Sequence, residues 1–126
     1  MAFSHSITYG VSVNSGTPLT FTGSQTFDGQ VSIDVAVPAS SSNFSIICPV
    51  DASTLKSVIL YSDAACTVVT KTSGGSTVDT FTFVANKPLI WQFGFPTSCP
   101  ITGDCATVEV TTTPGCNLVG YFGEDV

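Results

Sequence analysis

The stretch VSIDVAV, residues 31–37, puts Val31, Ile33, Val35 and Val37 on one face of an extended chain and Ser32, Asp34 and Ala36 on the other. Side chains alternate across a strand with a period of two, so this pattern buries one face and wets the opposite one. A helix would scatter the same apolar positions around its axis. The alternation recurs along most of the chain. Ile7, Tyr9, Val11 and Val13 share a face opposite Thr8 and Ser12, and Asn14-Ser15-Gly16 turns the chain into Leu19-Thr20-Phe21, predicting a first hairpin. Pro38 and residues 39–43 end the 31–37 strand in a loop, and residues 44–49 resume an extended path.

Residues 51–56 break the pattern. Asp51 is placed to cap a single helical turn whose Leu55 returns to the core. Strands are expected over 58–61 and 66–71 with a turn between them, followed by a flexible loop at 72–76 in which Gly74 and Gly75 permit positive φ. The segment DTFTFVANKPLIWQF then predicts strands over 78–84 and 89–95, joined through 85–88 as a hairpin. Phe81 and Phe83 oppose Thr80 and Thr82, and Trp91 shares a parity with Phe93. Phe81, Phe83 and Trp91 are assigned to the core, with Pro88 fixing the corner between the two strands. Residues 96–105 are the longest irregular piece, before strands over 106–112 and 118–122.

So many one-sided strands bury their apolar faces only by packing sheet on sheet. The expected fold is all-β: a single-domain antiparallel β-sandwich over residues 1–126, jelly-roll or Ig-like, of about eight to ten short strands. A domain of 126 residues buries roughly two thirds of its unfolded surface, enough for a core without staples. No internal repeat or linker divides it.

Charge narrows the partners. Nine carboxylates face only Lys56, Lys71 and Lys87, with no arginine, for a net charge of −6. Such a field repels polyanions, and three scattered lysines form no basic stripe, so nucleic acid, phosphorylated substrates and acidic membranes are not expected partners. No run approaches membrane-spanning length. The start MAFSHSITYGVSV lacks the basic and apolar regions of a secretory signal, so synthesis and folding in a reducing cytoplasm are expected.

Candidate reactive groups are few and dispersed. His5, the sole histidine, reads as a solvated residue near a chain end with no nucleophile motif beside it. Asp28, Asp51, Asp63 and Asp104 sit at turn signals, where carboxylates accept backbone hydrogen bonds; Asp34 and Asp79 lie in strands, facing away from apolar neighbours. Five cysteines read first as reduced thiols. Cys48 and Cys66 fall in strand patterns as small buried hydrophobes. Cys99, Cys105 and Cys116 belong to one irregular region, where a disulfide between two of them after release to an oxidising medium is the alternative. Tight C-x-x-C pairs and a fourth ligand for zinc are absent, with Asp104 the nearest carboxylate. No catalytic residue, cofactor or metal is expected.

The segments GSQTFDGQVSIDVAVP, DASTLKSVILYSD and DTFTFVANKPLIW, in that order, resemble a group of small proteins from the virion-structure modules of tailed bacteriophages and prophages. The match spans about residues 23–91, and its most specific pieces are Leu55-Lys56-Ser57 and the corner Lys87-Pro88-Leu89-x-Trp91. The chain departs from that group in its cysteines and in having no basic residue within 117–122. The resemblance implies a non-enzymatic capsid decoration, or cement, protein on the outside of the virion. Its partner would be the major capsid protein lattice, with self-association as a symmetric oligomer such as a trimer. A tail or fibre adhesin touching the host through loops 72–77 and 96–105 is the competing placement.

Overall fold

A computed structural model describes residues 2–12, 16–17 and 19–125, with the backbone alone for Tyr9 and Val11. The expected turn at 14–16 and Val13 therefore fall largely outside the described residues. Among the described residues ten strands follow one another: β1 (Phe3–Val11), β2 (Leu19–Phe27), β3 (Gly29–Val37), β4 (Ser41–Val50), β5 (Leu55–Ser62), β6 (Cys66–Lys71), β7 (Thr77–Phe83), β8 (Leu89–Gln92), β9 (Cys105–Thr112) and β10 (Cys116–Glu124). The single helical turn is a 3-10 turn over Ala52–Thr54. Asp51 caps it by accepting from the Ser53 amide at 3.0 Å, and Leu55 returns to the core as expected.

The last eight strands form two four-stranded antiparallel sheets with orders β3-β10-β5-β8 and β4-β9-β6-β7. Taken in chain order, this is the strand exchange of a jelly roll, two interleaved Greek keys, rather than the Ig-like alternative. Its consequence is that consecutive strands mostly lie in opposite sheets. Only β6 and β7 are consecutive strands of the sandwich that pair with each other. The expected hairpin of 78–84 with 89–95 is therefore corrected: β7 pairs with β6, β8 pairs with β5, and residues 84–88 cross from one sheet to the other. Strand alternation specifies which face of a strand is buried but not which sheet the strand joins. Asn86 takes φ +62° at this corner, its amide donates to the Ser62 carbonyl at 2.9 Å, and its side-chain oxygen accepts from the Tyr61 hydroxyl.

Val58, Leu60, Leu118 and Phe122 from one sheet meet Cys48, Val68, Val108 and Val110 from the other in a single apolar cluster. Trp91 and Phe83 join it buried, and Phe81 packs against it half-buried. Trp91 Nε1 donates to the Thr97 carbonyl at 2.9 Å, satisfying the one polar atom the ring takes inside. Thr70 and Thr112, also interior, bond to the Asp79 amide and the Ala65 carbonyl. Among the described residues no buried side-chain nitrogen or oxygen lacks a partner.

One sequence expectation is revised in the loops. Ser41, Ser42 and Asn43 belong to β4 rather than to a loop, with Ser40 and Asn43 taking the left-handed conformations that bend the strand. Residues 72–76 form the expected loop, with Gly75 at φ +87°. The Thr72 amide donates to the Ser76 carbonyl, the Gly75 amide to the Thr72 carbonyl, and the Ser76 amide to Thr72 Oγ1.

Candidate functional site

β1 and β2 form a separate two-stranded sheet, in register from Phe3↔Phe27 to Val11↔Leu19. Directly paired residues point to the same side, so all odd-numbered positions share one face. That face carries Phe3, His5, Ile7, Phe21, Gln25 and Phe27. The even face is almost all hydroxyl, with Ser4, Ser6, Thr8, Thr20, Thr22, Ser24 and Thr26 exposed. The sequence expectation saw Leu19-Thr20-Phe21 as the return strand; the structure extends it to Phe27. The extension has no apolar periodicity because Gly23 and Gln25 occupy positions on the inward face.

The base of this hairpin is clamped to the outer face of the β3-β10-β5-β8 sheet. Phe27 is buried over Gly123, where a Cβ would approach its ring to 2.3 Å, so only glycine admits the ring. His5 stands edge-on to Phe27 at 4.6 Å and to Tyr121 at 6.0 Å. With Nε2–H donating to the Gln30 side-chain oxygen at 2.9 Å, Nδ1 accepts from the Ser57 hydroxyl at 2.8 Å. Gln92, buried on the same face, donates to the His5 carbonyl at 3.1 Å. The expectation of a solvated histidine at a frayed end is thus overturned. His5 is half-buried in a strand and ties the hairpin to two strands of the jelly roll. Ser57 is fully enclosed beneath it, so the serine–histidine contact serves as a clamp.

Beyond the clamp the hairpin runs past the sheet that covers its base. Leu19 is 71% exposed and Phe21 47% exposed on the same face that is buried lower down. Phe21 meets Phe95 edge-on at 6.0 Å, and Gln25 donates to the Phe93 carbonyl at 3.0 Å. Phe93 itself is exposed, with the Lys56 ammonium 4.0 Å from its ring centroid. Strand β8 stops at Gln92, which frees Phe93 from the parity it would share with Trp91. Phe21 packed on Phe95, and Phe93 under Lys56, thus leave aromatic side chains accessible on the arm and on the turn at 93–95.

The segment around Pro88 walls a different feature. Phe81, Phe83, Pro88 and Leu89, with Thr80, Thr82 and Lys87 at the rim, line an open groove of about 350 Å³. It follows from the sheet-to-sheet crossing and holds no carboxylate.

Of the remaining candidate groups, Asp63 and Asp79 stand apart, whereas Asp51 and Asp104 border one cleft with Glu124 and Cys105. Asp51 accepts from Ser53, Asp63 from the Asn117 amide and side chain, Asp104 from the Ala52 amide, and Asp79 from the Thr102 amide and hydroxyl. These bonds fasten turns, and that of Asp79 pins loop 96–105 beside the start of β7. The Ser53 hydroxyl and amide hold the Asp51 carboxyl below its ordinary range. Cys99, Cys105 and Cys116 do not meet: Cys105 opens β9 and Cys116 follows its far end, about 25 Å away for eight residues of strand. Cys105 lies instead against Cys48, and Cys116 beside Cys66. Among the described residues, no three His, Cys, Asp or Glu side chains converge as metal ligands. The sequence carried no signal for the thiol pairing, which depends on strand order.

Comparison with protein-family models, with curated proteins and with solved structures finds no match to this chain.

Proposed function

We propose that this protein is a non-enzymatic structural component of a tailed-bacteriophage virion, a decoration or cement protein. It is made in the host cytoplasm and binds the outer surface of the major capsid protein lattice. The observation that carries the reading is the hairpin arm. Its inward face is buried at the base and continues past the jelly roll as exposed Leu19 and Phe21, with Phe21 edge-on to Phe95. Exposed apolar side chains on one face of an element are what a macromolecular contact uses. The hydroxyl-rich opposite face suits water. The class of partner rests on the resemblance read from the sequence segments within 23–91 alone, and jelly rolls recur in capsid proteins, an analogy at the level of fold alone.

The energetic logic is linkage. A protein that binds the assembled lattice and not its dissociated subunits favours the lattice by mass action. Copies add as monomers or as a symmetric trimer. The test is an image of intact particles carrying a label on this chain. Density over the head supports the reading, and density only at the tail refutes it.

The tail or fibre adhesin is the second reading, favoured by one contact. Asp79, two residues past loop 72–77, accepts two hydrogen bonds from Thr102. Loops 72–77 and 96–105 thereby form one surface at the same end of the sandwich, the arrangement in which loops on a rigid scaffold make contacts. The same label at the tail tip would establish it.

A further inference from the structure

Cys48 lies near the end of β4 and Cys105 opens β9, and these strands pair with a break in register between Ile47↔Thr107 and Val50↔Cys105. The break brings Cys105 back against Cys48, so that its thiol donates to the Cys48 carbonyl oxygen at 3.3 Å. Both side chains are buried in the same core cluster. Cys105 is registered against Val50, two residues along from Cys48, so its thiol reaches Cys48 diagonally across strands that run about 4.8 Å apart. Cys105 also borders an open cleft of about 290 Å³ lined by Pro49, Val50, Asp51, Asp104 and Glu124, which gives one sulfur of the pair a route to solvent.

We propose that Cys48 and Cys105 are a disulfide-forming pair: the chain folds with both thiols reduced, and a small-molecule disulfide in an oxidising medium then cross-links β4 to β9. The proposal stands on the thiol geometry and is independent of the virion reading.

The chemistry is thiol–disulfide exchange. The Cys105 thiolate attacks one sulfur of the external disulfide, forming a mixed disulfide and expelling one thiolate. Cys48 then attacks the Cys105 sulfur of the mixed disulfide and passes its proton to the departing sulfur, which leaves as the second external thiol. Two protein thiols and one external disulfide become one protein disulfide and two external thiols, so electrons and protons balance. Cys105 is the sulfur suited to attack first, because it borders the cleft whereas Cys48 is fully enclosed. A hydrogen bond from the Cys48 thiol holds Cys105 below the ordinary thiol range, with the Val50 backbone adding to it. That same hydrogen bond, reinforced by burial, pushes Cys48 up. Asp51, Asp104 and Glu124 make the cleft acidic, so a cationic disulfide enters it more readily than an anionic one.

Full-length protein is purified under reductant, desalted and exposed to cystamine, a dicationic disulfide. The reaction is then quenched with acid, free thiols are alkylated, and the chain is cut after lysine and after Glu109. Lys87 precedes Pro88 and resists cleavage, so Cys48 falls in the piece 1–56, while Cys105 falls with Cys99 in the piece 72–109. The expected result is that these two pieces are recovered joined, that reductant separates them, and that Cys99→Ser leaves the bond while Cys105→Ser removes it. Should Cys105→Ser fail to fold, the wild-type and Cys99→Ser maps decide alone. Recovery of Cys99 or Cys116 bonded to Cys105 overturns the proposal. So does a Cys48 that stays fully alkylatable after oxidation has run to completion.

Discussion

Replacing Gly123 by alanine tests whether the hairpin is part of the folded body or a loosely tethered arm. The backbone at Gly123 is not left-handed, so in open space Gly123→Ala would stabilise by about 0.4–1 kcal/mol through the unfolded chain. Here the new Cβ would lie 2.3–2.6 Å from three atoms of the Phe27 ring. The ring is only 3% exposed, with Phe3 and His5 against it, so it cannot swing aside without leaving its site. Overpacking of this kind costs about 1–3 kcal/mol, and expelling the ring forfeits about 1.5–3 kcal/mol of burial. A net loss of about 2 kcal/mol is expected, or roughly 8 °C in Tm for a domain of this size. Denaturant titration measures it, with proteolysis of the arm as a local readout. Phe27→Ala alone should cost about 3–5 kcal/mol. In that background Gly123→Ala should become nearly neutral, because the colliding ring is gone. A neutral or stabilising Gly123→Ala in the wild-type background, or an equal loss in both, would refute the clamp.

Further outcomes follow from single contacts. Asn86 holds a left-handed φ and accepts from Tyr61, so Asn86→Ala is expected to lose about 1–2 kcal/mol, with Asn86→Gly recovering the backbone part in thermal melts. The Asp51 carboxyl titrates below its ordinary value of 3.8 because Ser53 bonds its charged form. Its contribution is fully present above that value and is lost as pH falls through the lower folded one; Asp51→Asn should flatten acid unfolding curves in that window. Closing the Cys48–Cys105 loop, 105 − 48 = 57 residues, should raise stability by up to about 4 kcal/mol in the chain-entropy picture. Melts with and without reductant measure that gain, which Cys48→Ala should abolish.

Much of the fold was legible as strand faces. The alternation at 31–37 and 66–71 matches β3 and β6 closely, and Asp51 with Leu55 marks the one helical turn. Strand partnership was not legible, because a period of two is blind to which sheet a strand joins. Phe83 and Trp91 were rightly placed in the core, yet as a hairpin rather than as a crossing between sheets. The clamp has no sequence signature for a related reason. Gly123, Ser57, Gln92 and His5 are unremarkable singly, and their meaning comes from a hairpin folded back over β5, β8 and β10. Gly23 also reads as a weak point in a strand until the Gln92 side-chain oxygen is found 2.8 Å from where its Cβ would stand. The pairing of Cys48 with Cys105 and the separation of Cys105 from Cys116 depend on strand order alone.

The most direct measurement of the central claim is co-sedimentation of the purified protein with undecorated phage heads at micromolar concentration. The hairpin reading predicts that the protein pellets with the heads and saturates. Leu19→Asp, on a residue 71% exposed, should fold with unchanged stability and remain in the supernatant. Wild-type protein left in the supernatant, or Leu19→Asp pelleting as well as wild type, would contradict it.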